Sequence, residues 1–337
     1  MPRRSFVALA VMAATCASAS LSQSTAAGYS SAAPIPMADG RWDLTSYDGA
    51  HNRVLVARGD SVTIVDLASG SARNIGSIAG GHAALSVPGT STIAVTSGQD
   101  NTLRLLDGAS GNEAARIAVG QKPDAAIWDG TSRRILVMNA ASGTVSVVDP
   151  ASRKVTRTIT VKPALELPAM VGPHLLAVNN EDAGELDFVD LAKGKALAPL
   201  ALTGCDGPTG LAYDAADRLT LSACANGVAA LVDVPTRKVV KLVPIGAGPD
   251  TALFDAKRHR FLVPCGRSGT MSVFAVDAKG GLTPRPEVKT EIGARTAAID
   301  PSSGRVFLPS AQFMPAKAGQ RPQAVGGTAH LLIYAPT

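Results

Sequence analysis

The sequence has few of the residues that several function classes require. Aromatic residues are 4% of the chain, as 7 Phe, 4 Tyr and 2 Trp, which leaves little material for the stacking platforms that bind single-stranded nucleic acid or sugars. The net charge is only +5, and the basic residues are scattered, unlike those of a nucleic-acid-binding protein. Beyond the amino-terminal segment, no apolar run approaches the 18 residues that a membrane helix needs. We therefore expect neither a nucleic-acid partner nor a membrane span.

Motifs for common catalytic and cofactor sites are also missing. The sequence contains no P-loop, no G-x-S-x-G elbow and no H-E-x-x-H or C-x-x-C spacing for a metal. A haem attachment motif is absent as well, and the few aromatics disfavour a stacked quinone. We predict no bound cofactor and no dedicated metal site.

The first nineteen residues have the pattern of a secretory signal peptide. Two arginines precede an apolar run that begins at Phe6, and Ala17-Ser18-Ala19 matches an A-x-A cleavage site. A twin-arginine signal and a lipoprotein site at Cys16 stay open as variants. We expect residues 1–19 to be removed, residues 20–32 to be a flexible amino terminus, and the mature protein to be periplasmic or secreted.

An internal repeat predicts the fold. A strand pattern that ends in Asp recurs every 41 to 44 residues, and a seventh copy follows near the carboxyl terminus after an insertion. The repeated aspartates are Asp66, Asp107, Asp149, Asp190, Asp233 and Asp277. Repeats of this length with several short strands are typical of a β-propeller, and the 33 Gly and 22 Pro suit its many tight turns. We predict an all-β, seven-bladed β-propeller that occupies residues 33–337 as one domain.

The two chain ends are predicted to close the ring. The seventh copy ends on its third strand, whereas residues 33–38 precede the first inner strand, so we expect the amino-terminal segment to supply the missing fourth strand. One aromatic position recurs before the first turn of four blades, and we expect its side chains to pack between blades rather than bind ligand. These residues are Tyr47, Trp128, Tyr213 and Phe254.

Several segments resemble the YVTN (YncE-like) β-propeller repeat family of bacteria. Residues 136–139 (LVMN) and 176–179 (LAVN) stand where the name-giving tetrapeptide of that family falls, and residues 204–212 and 293–301 are similar to longer parts of its repeat. The resemblance implies an exported seven-bladed propeller. It implies no particular reaction, because propellers host many unrelated activities.

The repeat register nominates a ring of polar residues at the mouth of the central channel, where propeller ligands usually bind. Its members stand four positions before the recurring aromatic position: Asp43, His82, Asp124, Glu166, Thr209, Asp250 and Arg295. Four carboxylates with one His and one Arg could hold a divalent cation, or could supply a general base and an anchor for an anionic substrate. Polar groups that only bond the backbone of their own loops would give the same pattern.

The same register predicts a second ring of residues at the ends of the second strands of the blades. Two of its members are cysteines. Its members are Arg58, Ser97, Asn139, Asn179, Cys224, Cys265 and Ser310. We expect the two asparagines to bond turn backbone. Cys205 and Cys224 fall on the same face of blade five, so we favour a disulfide between them, with Cys265 free. A metal site that joins cysteines to His82 has no ligand spacing to support it.

Two function hypotheses follow. The first is a non-enzymatic, monomeric, exported propeller that binds a small molecule or a protein through its channel face. The alternative is a lactonase-like hydrolase, because residues 270–274 and 299–301 are similar to lactonase repeats. In that case Arg295 would anchor the substrate and Glu166 or Asp250 would activate water. Thr296 follows Arg295 where those lactonases carry His, which weakens the alternative.

Overall fold

The structure is a computed structural model that describes residues 28–277, 280–314 and 323–337. The predicted signal peptide and most of the predicted flexible amino terminus lie outside the described residues, as does part of the insertion in the seventh repeat. Within the described ranges, no helix is long and apolar enough to cross a membrane.

The described residues form thirty β-strands and one short 3-10 helix, Gly49–His51. In chain order the strands are β1 (Tyr29–Ser31), β2 (Ile35–Pro36), β3 (Thr45–Asp48), β4 (Arg53–Ala57), β5 (Val62–Asp66), β6 (Ser71–Ile75), β7 (Gly81–Ser86), β8 (Thr92–Ser97), β9 (Thr102–Asp107), β10 (Glu113–Ala118), β11 (Pro123–Asp129), β12 (Arg134–Asn139), β13 (Thr144–Asp149), β14 (Lys154–Thr160), β15 (Leu165–Gly172), β16 (Leu175–Asn180), β17 (Glu185–Asp190), β18 (Lys195–Ala196), β19 (Leu200–Ala201), β20 (Pro208–Asp214), β21 (Leu219–Cys224), β22 (Val228–Asp233), β23 (Lys238–Pro244), β24 (Leu253–Asp255), β25 (Arg260–Cys265), β26 (Thr270–Val276), β27 (Leu282–Lys289), β28 (Ala298–Ile299), β29 (Val306–Ser310) and β30 (His330–Pro336).

The strands form seven antiparallel sheets, one for each blade. Blade one is β3 to β6, blade two β7 to β10, blade three β11 to β14, blade four β15 to β19, blade five β20 to β23 and blade six β24 to β27. Blade seven combines β28, β29 and β30 with β1 and β2. The prediction of an all-β, seven-bladed β-propeller is confirmed.

The amino-terminal segment closes the ring as predicted, but the pairing begins earlier. β1 runs antiparallel to β30, with Tyr29 opposite Pro336, and β2 extends the pairing. The paired chain therefore starts four residues before the expected boundary at residue 33, inside the segment that was predicted to be flexible. Tyr29 explains this difference, because its side chain is 6% exposed and its ring lies 4.3 Å from the Arg260 guanidinium of blade six.

The hydrophobic core lies between neighbouring blades. The second strands are the most buried, since both of their faces meet other blades, and β12 is buried at five of its six positions. The recurring aromatics pack at these interfaces, as expected. Tyr47 of blade one stacks on Phe307 of blade seven with ring centroids 5.6 Å apart, and Phe254 packs against the cluster between blades five and six. Trp128 lies in the cluster between blades two and three.

Aspartates hold the first turn of several blades. The Oδ1 atoms of Asp129, Asp214 and Asp300 each accept a hydrogen bond of 2.9 Å from the backbone N–H two residues ahead. Such Asx turns satisfy backbone donors in tight connections. The turns lie where the innermost strands end, so the opposite end of the channel is bordered by the residues at which those strands begin.

Candidate functional site at the channel mouth

The seven residues of the predicted ring lie where the innermost strands begin, and we name this opening the channel mouth. The second residues of β7, β11, β15 and β20 are His82, Asp124, Glu166 and Thr209. The other three members come just before β3, β24 and β28, and they are Asp43, Asp250 and Arg295. Six of the seven are half-buried and Arg295 is exposed. Two contact groups, the isolated carboxyl group of Glu166 and the backbone-bonded Thr209 make up the mouth.

The first group joins blades one, two and three. His82 Nδ1 lies 2.8 Å from Asp43 Oδ2 and 3.6 Å from Asp124 Oδ1. Lys122 Nζ is 3.9 Å from the other oxygen of Asp124. The hydrogen bond to Asp43 raises the pKa of His82 against the opposing effect of burial. The imidazole therefore stays protonated to higher pH than a free histidine does.

The second group joins blades six and seven. Arg295 Nε donates a 2.6 Å hydrogen bond to Asp250 Oδ2. The Arg295 carbonyl in turn accepts a hydrogen bond from Thr251 Oγ1 at 3.2 Å. Burial raises the pKa of Asp250, although the Arg295 guanidinium opposes the shift.

Glu166 is the isolated carboxylate of the mouth. Within the described part of the chain, its side chain has no hydrogen bond and no ion pair. Burial, followed by the negative charges of Asp124, Glu181 and Asp250, raises the pKa of Glu166 to about 9. Burial also raises the pKa of Asp124, and the charge of Asp43 adds to that effect. The mouth thus holds more carboxylates than its own cations neutralise.

Two charged residues at the mouth, Lys122 and Glu181, were missed by the repeat register. Lys122 precedes the ring residue of blade three by two positions, and Glu181 directly follows β16 in the turn beside Glu166. A search of the loops on either side of each ring position for charged residues would have found both.

Thr209 and the second ring make mainly backbone contacts. Thr209 Oγ1 donates to Ala223 O at 3.5 Å, Ser97 Oγ donates to Ala79 O at 3.0 Å, and Ser310 Oγ donates to Ile292 O at 3.3 Å. Arg58 is 1% exposed, and its Nη2 donates to Ala38 O and Asp39 O at 2.6 and 2.7 Å. Each of these side chains thus hydrogen-bonds a backbone carbonyl group of the fold.

The second-ring assignment was wrong by one residue in blade four. Asn139, the last residue of β12, faces Thr144, and the equivalent end residue of β16 is Asn180, which faces Glu185. A register shift near Gly172 and a shorter first turn displace the count in this blade. Asn179 instead donates to Gly210 O at 2.9 Å, which ties blade four to blade five.

The two cysteines of blade five are close enough to be bonded. The Cα atoms of Cys205 and Cys224 lie 5.4 Å apart, within the range that a disulfide spans, and the structure joins their sulfur atoms. Cys265 is buried and free. Burial raises the pKa of its thiol to about 11, so it is not a reactive thiolate at neutral pH.

A narrow cavity of about 200 Å³ continues the channel inward from the mouth. Twelve of its fifteen lining residues are apolar and three carry hydroxyl groups. Several lining residues directly follow a mouth residue along the chain, as Ala83 follows His82 and Ala125 follows Asp124. The site therefore combines an acidic rim with an apolar interior.

The donor atoms of Asp43, His82 and Asp124 lie within 4.8 Å of one another, close enough to share a metal ion. Two carboxylates and one imidazole suit several divalent metals. The donor that would be needed, His82 Nδ1, is the atom hydrogen-bonded to Asp43. A metal ion at this cluster would therefore have to replace that hydrogen bond.

Comparison with solved structures finds the same fold in distant proteins. The chain is similar to a chain of Kuenenia stuttgartiensis hydrazine synthase, with a TM-score of 0.67 at 14% identity over 87% of this chain and 96% of that chain. It is also similar to a chain in a crystal structure of the mitotic checkpoint complex, with a TM-score of 0.71 at 15% identity over 97% of this chain and 99% of that chain. No protein-family model and no curated protein matches the sequence.

Identities of this size establish the β-propeller fold and leave the activity of the chain open. The resemblance to the YVTN family and the export of the chain stay predictions. The propeller is nevertheless a common binding scaffold, so the chemistry of the channel mouth is the best guide to function.

Proposed function

We propose that the protein is an exported binding propeller that captures a cationic ligand at its channel mouth. The observation that carries this proposal is the carboxyl group of Glu166, which lies among other carboxyl groups and has no hydrogen bond or ion pair within the described residues, although the charge of Lys122 acts on it from a distance. A ligand with a positive charge would supply an ion-pair partner and would lower the pKa of Glu166.

The charge balance of the mouth supports a cation rather than an anion. Five carboxyl groups influence one another across the opening, and only three basic side chains accompany them. The carboxyl groups are those of Asp43, Asp124, Glu166, Glu181 and Asp250, and the basic side chains are His82, Lys122 and Arg295. A low-dielectric opening with an excess of one sign of charge concentrates ligands of the opposite sign.

The lactonase-like alternative gains no support from the geometry. Arg295 would have to anchor a substrate anion, but its guanidinium already binds Asp250 at 2.6 Å. Glu166 would have to accept a proton from water, but a carboxyl with a pKa of about 9 is protonated at neutral pH. We therefore place binding ahead of hydrolysis.

The test is calorimetric titration of the purified protein with butylammonium, and separately with Mg²⁺ and Ca²⁺. A cation should bind the unaltered protein and should bind the Glu166→Gln variant at least tenfold more weakly, since the variant lacks the unpaired carboxylate. Asp233→Asn is the matched control, because Asp233 ends β22 at the far end of the channel and makes no ion pair within the described residues. Equal affinity in all three proteins, or no binding of any cation, would overturn the proposal.

A further inference from the structure

The channel geometry points to a more specific ligand, and this inference rests on the proposed function. We infer that the ligand is a small alkylammonium ion, with its ammonium group among the mouth carboxylates and its hydrocarbon chain inside the channel.

The first support is the apolar character of the cavity under the mouth. Six of its lining residues are alanines in or next to the innermost strands of blades two, three, six and seven: Ala83, Ala84, Ala125, Ala126, Ala252 and Ala297. Among the described residues that line it, none carries a charge. A cavity of this kind favours hydrocarbon over hydrated ions.

The hydroxyl groups of the cavity offer little to water. Ser46 Oγ donates to Ala84 O at 2.6 Å, and Thr251 Oγ1 donates to the Arg295 carbonyl at 3.2 Å. Thr45 Oγ1 is buried and has no hydrogen-bond partner within the described residues. Two of the three hydroxyl groups that line the cavity are therefore taken up by backbone carbonyl groups.

The mouth also suits an ammonium ion better than a metal ion. An ammonium group donates three hydrogen bonds and matches Glu166 together with the neighbouring carboxylate of Asp124. It leaves the hydrogen bond between His82 Nδ1 and Asp43 Oδ2 intact, whereas a metal at that cluster would need the same two side chains as ligands. The organic cation therefore uses both parts of the site, and a divalent metal uses only the rim.

The cavity volume limits the length of the ligand's hydrocarbon chain. An apolar cavity of about 150 Å³ binds benzene, so about 200 Å³ accommodates a straight chain of roughly four to six carbons. Each buried methylene raises affinity about fourfold. We expect butylammonium to bind on the order of 60-fold more tightly than methylammonium, and the gain to end at about six carbons.

The experiment is calorimetric titration with methyl-, propyl-, butyl-, hexyl- and octylammonium, with 1-butanol as the uncharged control. In the unaltered protein, affinity should rise with chain length up to about hexylammonium, and 1-butanol should bind far more weakly than butylammonium. Ala126 is half-buried, lines the cavity and also packs against the core between blades two and three. In Ala126→Leu the larger side chain should take up part of the cavity, so methylammonium should bind as before while the gain with chain length is lost. Thermal unfolding of that variant shows whether it is folded. Ala126→Ser is the substitution at the same position with the smaller change in side-chain volume.

The outcomes separate the inference from the proposed function. Equal affinity for methyl- and butylammonium in the unaltered protein would overturn the inference while leaving cation binding at the mouth intact. Binding of Mg²⁺ or Ca²⁺ without binding of any alkylammonium would overturn it in favour of a metal. Binding of 1-butanol as tightly as butylammonium, or binding of no cation at all, would overturn both.

Discussion

Replacement of Glu166 by Gln should stabilise the protein, and more so as pH rises. In the folded protein the pKa of Glu166 is about 9, against its ordinary value of 4.5 in an unfolded chain. Folding at neutral pH therefore takes up a proton, and this group makes the free energy of unfolding fall as pH rises from about 4.5 to about 9. Gln has a similar shape and cannot ionise, so the variant lacks this penalty.

The magnitude follows from the distance between pH 7 and the unfolded pKa. That distance is about 2.5 pH units, and each unit corresponds to about 1.4 kcal/mol, so the variant should gain about 3 kcal/mol at pH 7. At pH 4 the carboxyl is protonated in both states, and the two proteins should have nearly equal free energies of unfolding.

The assay is urea unfolding of both proteins at pH 4, 5.5, 7 and 8.5, without ligand. The difference in the free energy of unfolding should be small at pH 4 and should widen at each step. Asp233→Asn is the matched control, because it makes the same kind of change, from carboxylate to amide, at the far end of blade five. Parallel curves for the Glu166→Gln and unaltered proteins would refute the electrostatic description of the mouth.

Two further predictions concern Arg295 of blade seven and the cysteine pair of blade five. Arg295→Met should raise the affinity for butylammonium several-fold in calorimetry, since it removes a cation that competes for Asp250, whereas a lactonase would lose substrate binding; weaker butylammonium binding would contradict this. Replacing Cys205 and Cys224 together by Ala should lower the free energy of unfolding by about 3 kcal/mol in urea, as expected for a crosslink between residues 19 apart; an unchanged midpoint in urea would contradict it.

The repeat made most of the fold predictable. Each Asp-terminated copy became one sheet, because a period of about 42 residues can bury its apolar faces only by stacking on neighbouring copies. The start of the closing strand was less predictable. Tyr29 belongs to no repeat copy, and its place depends on a pocket formed by blade six, including Arg260.

The candidate site was predictable in its members and less so in its contacts. Residues at the same position of successive repeats lie at the same level of the channel, so the ring residues lie together. The lack of a partner for Glu166 follows from order around the ring, since its neighbours are Asp124 and the uncharged Thr209. The apolar cavity was not predicted, because alanines that line it also belong to the core between blades and cannot be told from ordinary core residues in a strand. Asn180 was missed because a bulge in β15 shifts the register.

The most direct test of the central claim is the proton released when a cation binds. If a ligand ammonium pairs with the ionised Glu166, calorimetry of butylammonium at pH 7 in buffers with different ionisation enthalpies should report about one proton released per ligand. The Glu166→Gln variant should release none. Binding to the unaltered protein with no proton release would contradict capture of the cation by this carboxylate.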